Sequence, residues 1–170
     1  NTACGTTMYG WGRNSDGQLG DGSTTQRSTF AALGFSASPN TFVYYAKDID
    51  VTVAMTQNNV LYSWGRNALG QLGVGDFAAR VSPSVTNTST FGGRRLAAHG
   101  LGKQHQVFVT DDGRVHTVGF NQRGQLGDGT LTSKSTPATI STNGALIGRF
   151  AIGACAGLEH TLVITNNFTH

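Results

Sequence analysis

Trp64-Gly65-Arg66-Asn67-Ala68-Leu69-Gly70-Gln71-Leu72-Gly73 is the stretch whose reading decides the fold, because the chain contains it three times. An earlier copy runs Trp11-Gly12-Arg13-Asn14-Ser15-Asp16-Gly17-Gln18-Leu19-Gly20, and a later one Val118-Gly119-Phe120-Asn121-Gln122-Arg123-Gly124-Gln125-Leu126-Gly127. The copies lie 53 and 54 residues apart, and a fixed period of this size marks a repeat architecture. An apolar residue followed by Gly ends a strand. The Asn after it has a short side chain that can bond nearby backbone in a turn. Glycines at fixed positions then allow positive φ without steric cost. Between them, Leu19, Leu72 and Leu126 are expected to plug a core, and Gln18, Gln71 and Gln125 to tie loop backbone. Repeated turn chemistry of this kind builds a scaffold rather than a reaction centre.

The phrase Trp-Gly-x-Asn followed by Gly-Gln-Leu-Gly resembles the regulator of chromosome condensation repeat family. The third unit extends the likeness: Gly102-Lys103-Gln104-His105 opens a strand, Thr110-Asp111-Asp112-Gly113 turns, and Arg114-Val115-His116-Thr117-Val118-Gly119 forms the next strand. Gly157-Leu158-Glu159-His160 begins the same sequence again. The resemblance covers essentially all of residues 1–170 as a single array, with motifs at 11–20, 64–73 and 118–127. It implies an all-β fold, a β-propeller whose blades are four antiparallel strands, here three repeats of a ring that is usually larger. Three blades do not close a ring, so the expectation is either a part of a larger propeller or blades completed between copies joined head to tail.

Composition agrees with a turn-rich β fold. Glycine makes up 24 of 170 residues, well above the ~7% average, and charged residues only 12%, well below the ~25% average. The formal charge of +3 is a weak excess with one basic pair, Arg94-Arg95, which argues against nucleic acid as the partner. No run of 18 apolar residues is present, so no membrane span is expected.

Along the chain, Met8–Trp11, Leu61–Trp64 and Val115–Val118 are equivalent strands. Phe42–Tyr45 reads as another, and Val51-Thr52-Val53-Ala54-Met55-Thr56 alternates so that Val51, Val53 and Met55 share a face. Val107–Thr110 and Leu162–Thr165 repeat that strand. Here the first copy departs from the pattern, with Asp48 and Val51 where Gly102 and His105 stand, and an irregular blade is expected at that strand. Residues 20–40, 74–93 and 128–148 are polar excursions, with Pro83 and Pro137 at equivalent places.

His105 and His160 are repeat-equivalent and expected to be structural imidazoles between blades. No catalytic motif, phosphate loop or metal-ligand spacing occurs, so no enzyme activity, metal or cofactor is expected. Asn87-Thr88-Ser89 and Asn167-Phe168-Thr169 are candidate glycan acceptors in loops and, with the low charge, favour a secreted or cell-surface setting. Cys4 and Cys155 could bridge only if their Cα atoms come within ~7 Å. The family's ultraviolet photoreceptors rely on clustered tryptophans, whereas this chain has Trp11 and Trp64 alone.

The functional expectation is a non-enzymatic scaffold for protein–protein interaction or assembly, whose partner is another protein or further copies of itself. Specificity would lie in the loops at 21–29, 74–82 and 128–136, with Arg13, Arg66, Asp21, Asp76 and Asp128 as partner-binding candidates. One alternative is a secreted, glycosylated subunit polymerising through open blade ends. Another, implied by the resemblance alone, is a nucleotide exchange factor for a small GTPase.

Overall fold

The computed structural model describes residues 7–33, 42–140 and 146–167. Among these a 3₁₀ turn stands at Ser89–Phe91, and the chain is otherwise mostly antiparallel sheet and turn. Two complete four-stranded blades stand in the middle. The first is β3 (Phe42–Lys47), β4 (Val51–Thr56), β5 (Leu61–Gly65) and β6 (Arg80–Val85). The second is β7 (Leu96–Leu101), β8 (His105–Thr110), β9 (Val115–Gly119) and β10 (Lys134–Thr139). On either side lies a two-stranded sheet: β1 (Tyr9–Gly12) with β2 (Arg27–Ala32), and β11 (Arg149–Ala156) with β12 (Thr161–Asn167). By repeat position, β1 and β2 are the outer half of a blade, and β11 and β12 the inner half.

The polar excursions are therefore not all loop. Each contains the outermost strand of its blade, β2, β6 or β10, which has a neighbour on one side only. Solvent reaches it, so it carries no apolar alternation to announce it. Pro83 in β6 and Pro137 in β10 fit such an edge, where a missing N–H breaks no ladder bond. Both lie where the register of the outer pair shifts, between Ser63 and Gly65 in one blade and between Lys134 and Ala138 in the next.

The strand expected to be irregular is regular. β4 pairs with β5 from Val51↔Gly65 to Met55↔Leu61 without a shift, and its one shift against β3, between Phe42 and Tyr44, recurs in β7–β8 and β11–β12. The turn before it is also conserved in form: Asp48 N donates to Val51 O at 3.0 Å, as Gly102 N does to His105 O at 3.0 Å and Gly157 N to His160 O at 2.9 Å. Glycine is needed beside histidine for space. A methyl on Gly157 would lie 2.4 Å from the His160 ring, and one on Gly102 2.8 Å from the His105 ring. Val51 is shorter, so Asp48 fits.

The core lies between blades. Leu33, Ala54 and Trp64 fill the first seam. Val51, Val53, Leu61, Leu72, Phe91, Phe108 and Val118 fill the second, with Met55 packed beside them as the alternation predicted. Val107, Val109, Val115, Ile140 and Ala151 fill the third.

A polar contact recurs at every seam. The main-chain carbonyl of the motif glutamine accepts from the side chain of the residue that follows Val51, His105 or His160 in the neighbouring sheet. Thr52 Oγ1 (2.8 Å) and Trp64 Nε1 (3.0 Å) donate to Gln18 O, Gln106 Nε2 to Gln71 O, and Thr161 Oγ1 (2.7 Å) to Gln125 O. The motif glycine beside it must stay bare: a methyl on Gly20 (φ 74°) would lie 2.5 Å from Trp64 Nε1.

Candidate protein-interaction rim

The loops that follow β1, β5 and β9 emerge on one edge of the array, and each is closed around a fully buried asparagine. Asn14 Nδ2 donates to Asp21 Oδ1 (3.1 Å) and to the carbonyls of Ser23 and Thr25 (3.0 and 3.2 Å), while its Oδ1 accepts from Leu19 N (2.9 Å). Asn67 reaches Asp76 O and Ala78 O and accepts from Leu72 N. Asn121 reaches Asp128, Thr130 O and Thr132 O and accepts from Leu126 N. The glutamines do what the sequence suggested, Oε1 accepting from Asp16 N, Leu69 N and Arg123 N at 2.9–3.0 Å.

A carboxylate completes each loop. Asp21 pairs with Arg27, Asp76 with Arg80 (2.6 Å) and Asp128 with Lys134 (3.0 Å). Asp76 stands two residues later in its loop than the other two, yet holds the same asparagine and the same kind of base. Burial alone would raise Asp21 and Asp128. Hydrogen bonds from Ser23, Arg27 and Asn14 in one loop, and from Thr130 and Lys134 in the other, outweigh it and hold both at about 2. Hydrogen bonds from Arg80 and Ala78 lower Asp76 as well. Asp21 and Asp128 are nearly covered by their own loops and brace them, so neither offers its carboxylate freely to a partner, whereas Asp76 is half exposed.

What the braced loops present is different. Thr24, Phe77 and Leu131 occupy one repeat position at the loop tips, and Phe77 and Leu131 are 54% and 65% exposed. A groove beside Phe77 runs along β10 past Lys134, Thr136 and Pro137. The loops are also shorter than the sequence suggested, because 27–29, 80–82 and 134–136 begin outer strands. Neither tip was singled out in the sequence. An apolar residue amid Gly, Asp and Thr was the available signal.

Arg13 and Arg66 come together as neighbouring repeats should place them. Both face Asp50, at 3.5 and 3.7 Å, and Arg13 also meets Asp16 at 3.1 Å. Asp50 lies in the β3–β4 turn, which carries no motif. His105 is structural: Nε2 donates to Thr161 Oγ1 of the next sheet at 2.9 Å, and burial lowers its pKa. His160, its counterpart, is exposed. Asn87 sits in the loop after β6, its Oδ1 accepting from Ser89 N at 3.1 Å. Asn167 is not in a loop but ends β12, paired with Arg149. Cys155 is free and exposed on β11, and Cys4 lies outside the described residues. Among the described residues no cluster of His, Cys, Asp and Glu could hold a metal ion, and no helix is long and apolar enough to cross a membrane.

The sequence profile of the regulator of chromosome condensation (RCC1) repeat matches residues 7–33, 58–109 and 112–164. The chain is 33% identical over 162 residues to the ultraviolet-B receptor UVR8 of Arabidopsis thaliana, an alignment covering 94% of this chain and 35% of the receptor. It is 38% identical over 104 residues to the RCC2 homolog of Danio rerio, covering 61% of this chain and 21% of that protein. Prp20p of Saccharomyces cerevisiae, solved together with a study of its binding to Gsp1p and histones, superposes with a TM-score of 0.77 at 19% identity. That match covers 96% of this chain and 40% of Prp20p. The chain therefore spans well under half the length of the proteins it matches.

Proposed function

This chain belongs to the RCC1 repeat family, and from that premise we propose that it is a non-enzymatic β-propeller scaffold for protein–protein interaction whose docking face is the rim of motif loops. The observation that carries the reading is the contrast within each loop. The buried asparagine and its carboxylate are the same in all three repeats, while the exposed tip changes from Thr24 to Phe77 to Leu131. A rigid frame with a varied tip, apolar in two of the three loops, suits recognition, because little conformational entropy is lost when a partner binds. Arg13 and Arg66, half exposed and oriented by Asp50, supply charge at the start of two of the motif loops. Prp20p, a protein of the same fold, has been studied for its binding to protein partners, which supports the reading.

The test is a Phe77→Ser/Leu131→Ser variant in partner capture, with hydrogen exchange mapped on the complex. Loss of the captured protein at unchanged Tm, with protection at 74–79 and 128–133 in the parent, is the expected result. Capture that survives substitution of all three loops would remove the assignment. The same preparations, assayed with a panel of small GTPases, decide the exchange-factor alternative: acceleration of nucleotide release would replace the scaffold reading.

A further inference from the structure

On the edge opposite the motif loops, Arg94 and Arg114 meet at one carboxylate, with Arg95 next in sequence to Arg94 and Arg149 at the start of the adjoining strand β11, and we propose that this arginine-rich edge binds an acidic peptide segment of a partner protein. Arg94, Arg95, Arg114 and Arg149 are all exposed. Asp112 organises two of them: its Oδ2 lies 3.5 Å from Arg94 Nε and 3.4 Å from Arg114 Nε. Its Oδ1 accepts from Thr110 Oγ1 at 2.6 Å, so the carboxylate is fixed from behind. The two guanidinium groups are thereby held less than about 7 Å apart, a spacing suited to carboxylates two residues apart on an extended strand.

The backbone under the cluster is equally constrained. Phe91 is buried in the second seam, and Arg94 N donates to Phe91 O at 3.1 Å. Asn59 Oδ1 accepts from Leu96 N at 3.1 Å, and Arg95 O accepts from Asp111 N at 2.9 Å. Arg149 is brought in from the neighbouring sheet, where Ala151 N donates to Gly113 O at 3.1 Å. Among the described residues Arg95 and Arg149 form no ion pair. Four arginines against Asp111 and Asp112 leave this edge with two net positive charges, most of the chain's formal +3.

The pattern favours carboxylates over a phosphate backbone. A nucleic acid presents an unbroken row of negative charge, which the exposed Asp111 and the mostly covered Asp112 would interrupt, and such complexes rest on larger basic surfaces. Discrete acidic side chains can meet the arginines and avoid the aspartates. Arginine's planar fork of donors makes it a frequent anchor at interfaces. This edge is separate from the loop-tip rim, so the inference does not depend on the reading above.

The experiment is fluorescence anisotropy with a labelled glutamate-rich peptide as the probe, at low and at physiological salt. Arg95→Gln/Arg149→Gln is expected to weaken binding about tenfold at unchanged Tm, and Arg13→Gln/Arg66→Gln on the opposite rim to leave it unchanged. Should the double variant lose its fold, Arg149→Gln alone, at an exposed strand start, is expected to weaken binding by a factor of about three. Absence of peptide binding at low salt, an equal loss from the opposite-rim variant, or tighter binding of a double-stranded oligonucleotide than of the peptide would each overturn the assignment.

Discussion

Trp64 and Trp11 are the same residue of the same motif, one repeat apart, and their surroundings are opposite. Trp64 is 1% exposed, its indole N–H bonded to Gln18 O of the neighbouring sheet; Trp11 is 65% exposed. The other end of the array repeats the lesson. Val107 and Val109 of β8 are fully buried, whereas Leu162 and Ile164, their equivalents in β12, are 59% and 65% exposed. Every residue of β8 is buried because a blade lies on each of its faces. In this fold a side chain's energetic worth is set by the blade beside it more than by its place in the motif, as nearest-neighbour coupling in repeat proteins requires.

The largest effect that could break this comparison is at the tryptophans. Trp64→Ala is expected to cost about 3–5 kcal/mol, and Trp11→Ala less than about 0.5 kcal/mol, both read from urea unfolding. Equal losses would mean that the Trp11 face is covered in solution. Next come the loop clamps, which act inside one repeat and should ignore position. Asn121→Ala and Asn14→Ala are each expected to cost about 2–3 kcal/mol, since several backbone groups lose their partner. A much smaller loss for Asn14 would show that the end loop is not closed as the inner ones are.

Acid should find the inner seams next. Tyr44 hydroxyl donates to His99 Nδ1 (3.1 Å), and the network assigns the proton to His99 Nε2, which donates to Gln106 Oε1 (2.8 Å). Burial lowers His99 from 6.5 to about 4, against a smaller raising effect of Gln106. Burial likewise lowers His116 to about 4, with Asp112 and Arg114 opposing each other nearby. Between about pH 6.5 and 4 the unfolded chain binds protons that the folded chain refuses, so stability should fall with pH across that window. Asp21 and Asp128 extend the loss downward, their stabilising contribution vanishing as pH falls from 3.8 to about 2. A thermal-melting series flat from pH 7 to 5 would contradict the burial of the histidines. The smallest effect is at the inter-blade link itself: Tyr44→Phe is expected to cost about 1 kcal/mol and leave the sheets intact by circular dichroism.

Much of the fold was legible. The Val51–Thr56 strand announces itself by alternation and its counterparts and the strands entering the motif by repeat equivalence, while the strands at 96–101 and 149–156 were not singled out; the motif asparagines and glutamines tie loop backbone as their chemistry suggests. The outer strands were hidden in polar excursions because solvent on their free side removes the pattern. The covering of Asp21 and Asp128 was hidden for a related reason. A charged residue in a loop reads as exposed, and Asp21 is covered only because Arg27 and Asn14 fold over it. The arginines of the far edge sit in three separate stretches of sequence, and the bond from Ala151 N to Gly113 O sets the start of β11, where Arg149 stands, against the turn that precedes Arg114.

By itself the sequence determined the repeat, its phase and its turn chemistry, because these depend on neighbours within a few residues and on the steric freedom of glycine. Only the tertiary structure decided which copy of an identical residue is core and which is surface, which carbonyl receives the next blade's donor, and which charges share an edge. Those depend on contacts about fifty residues apart, across seams for which no local pattern carries a signal.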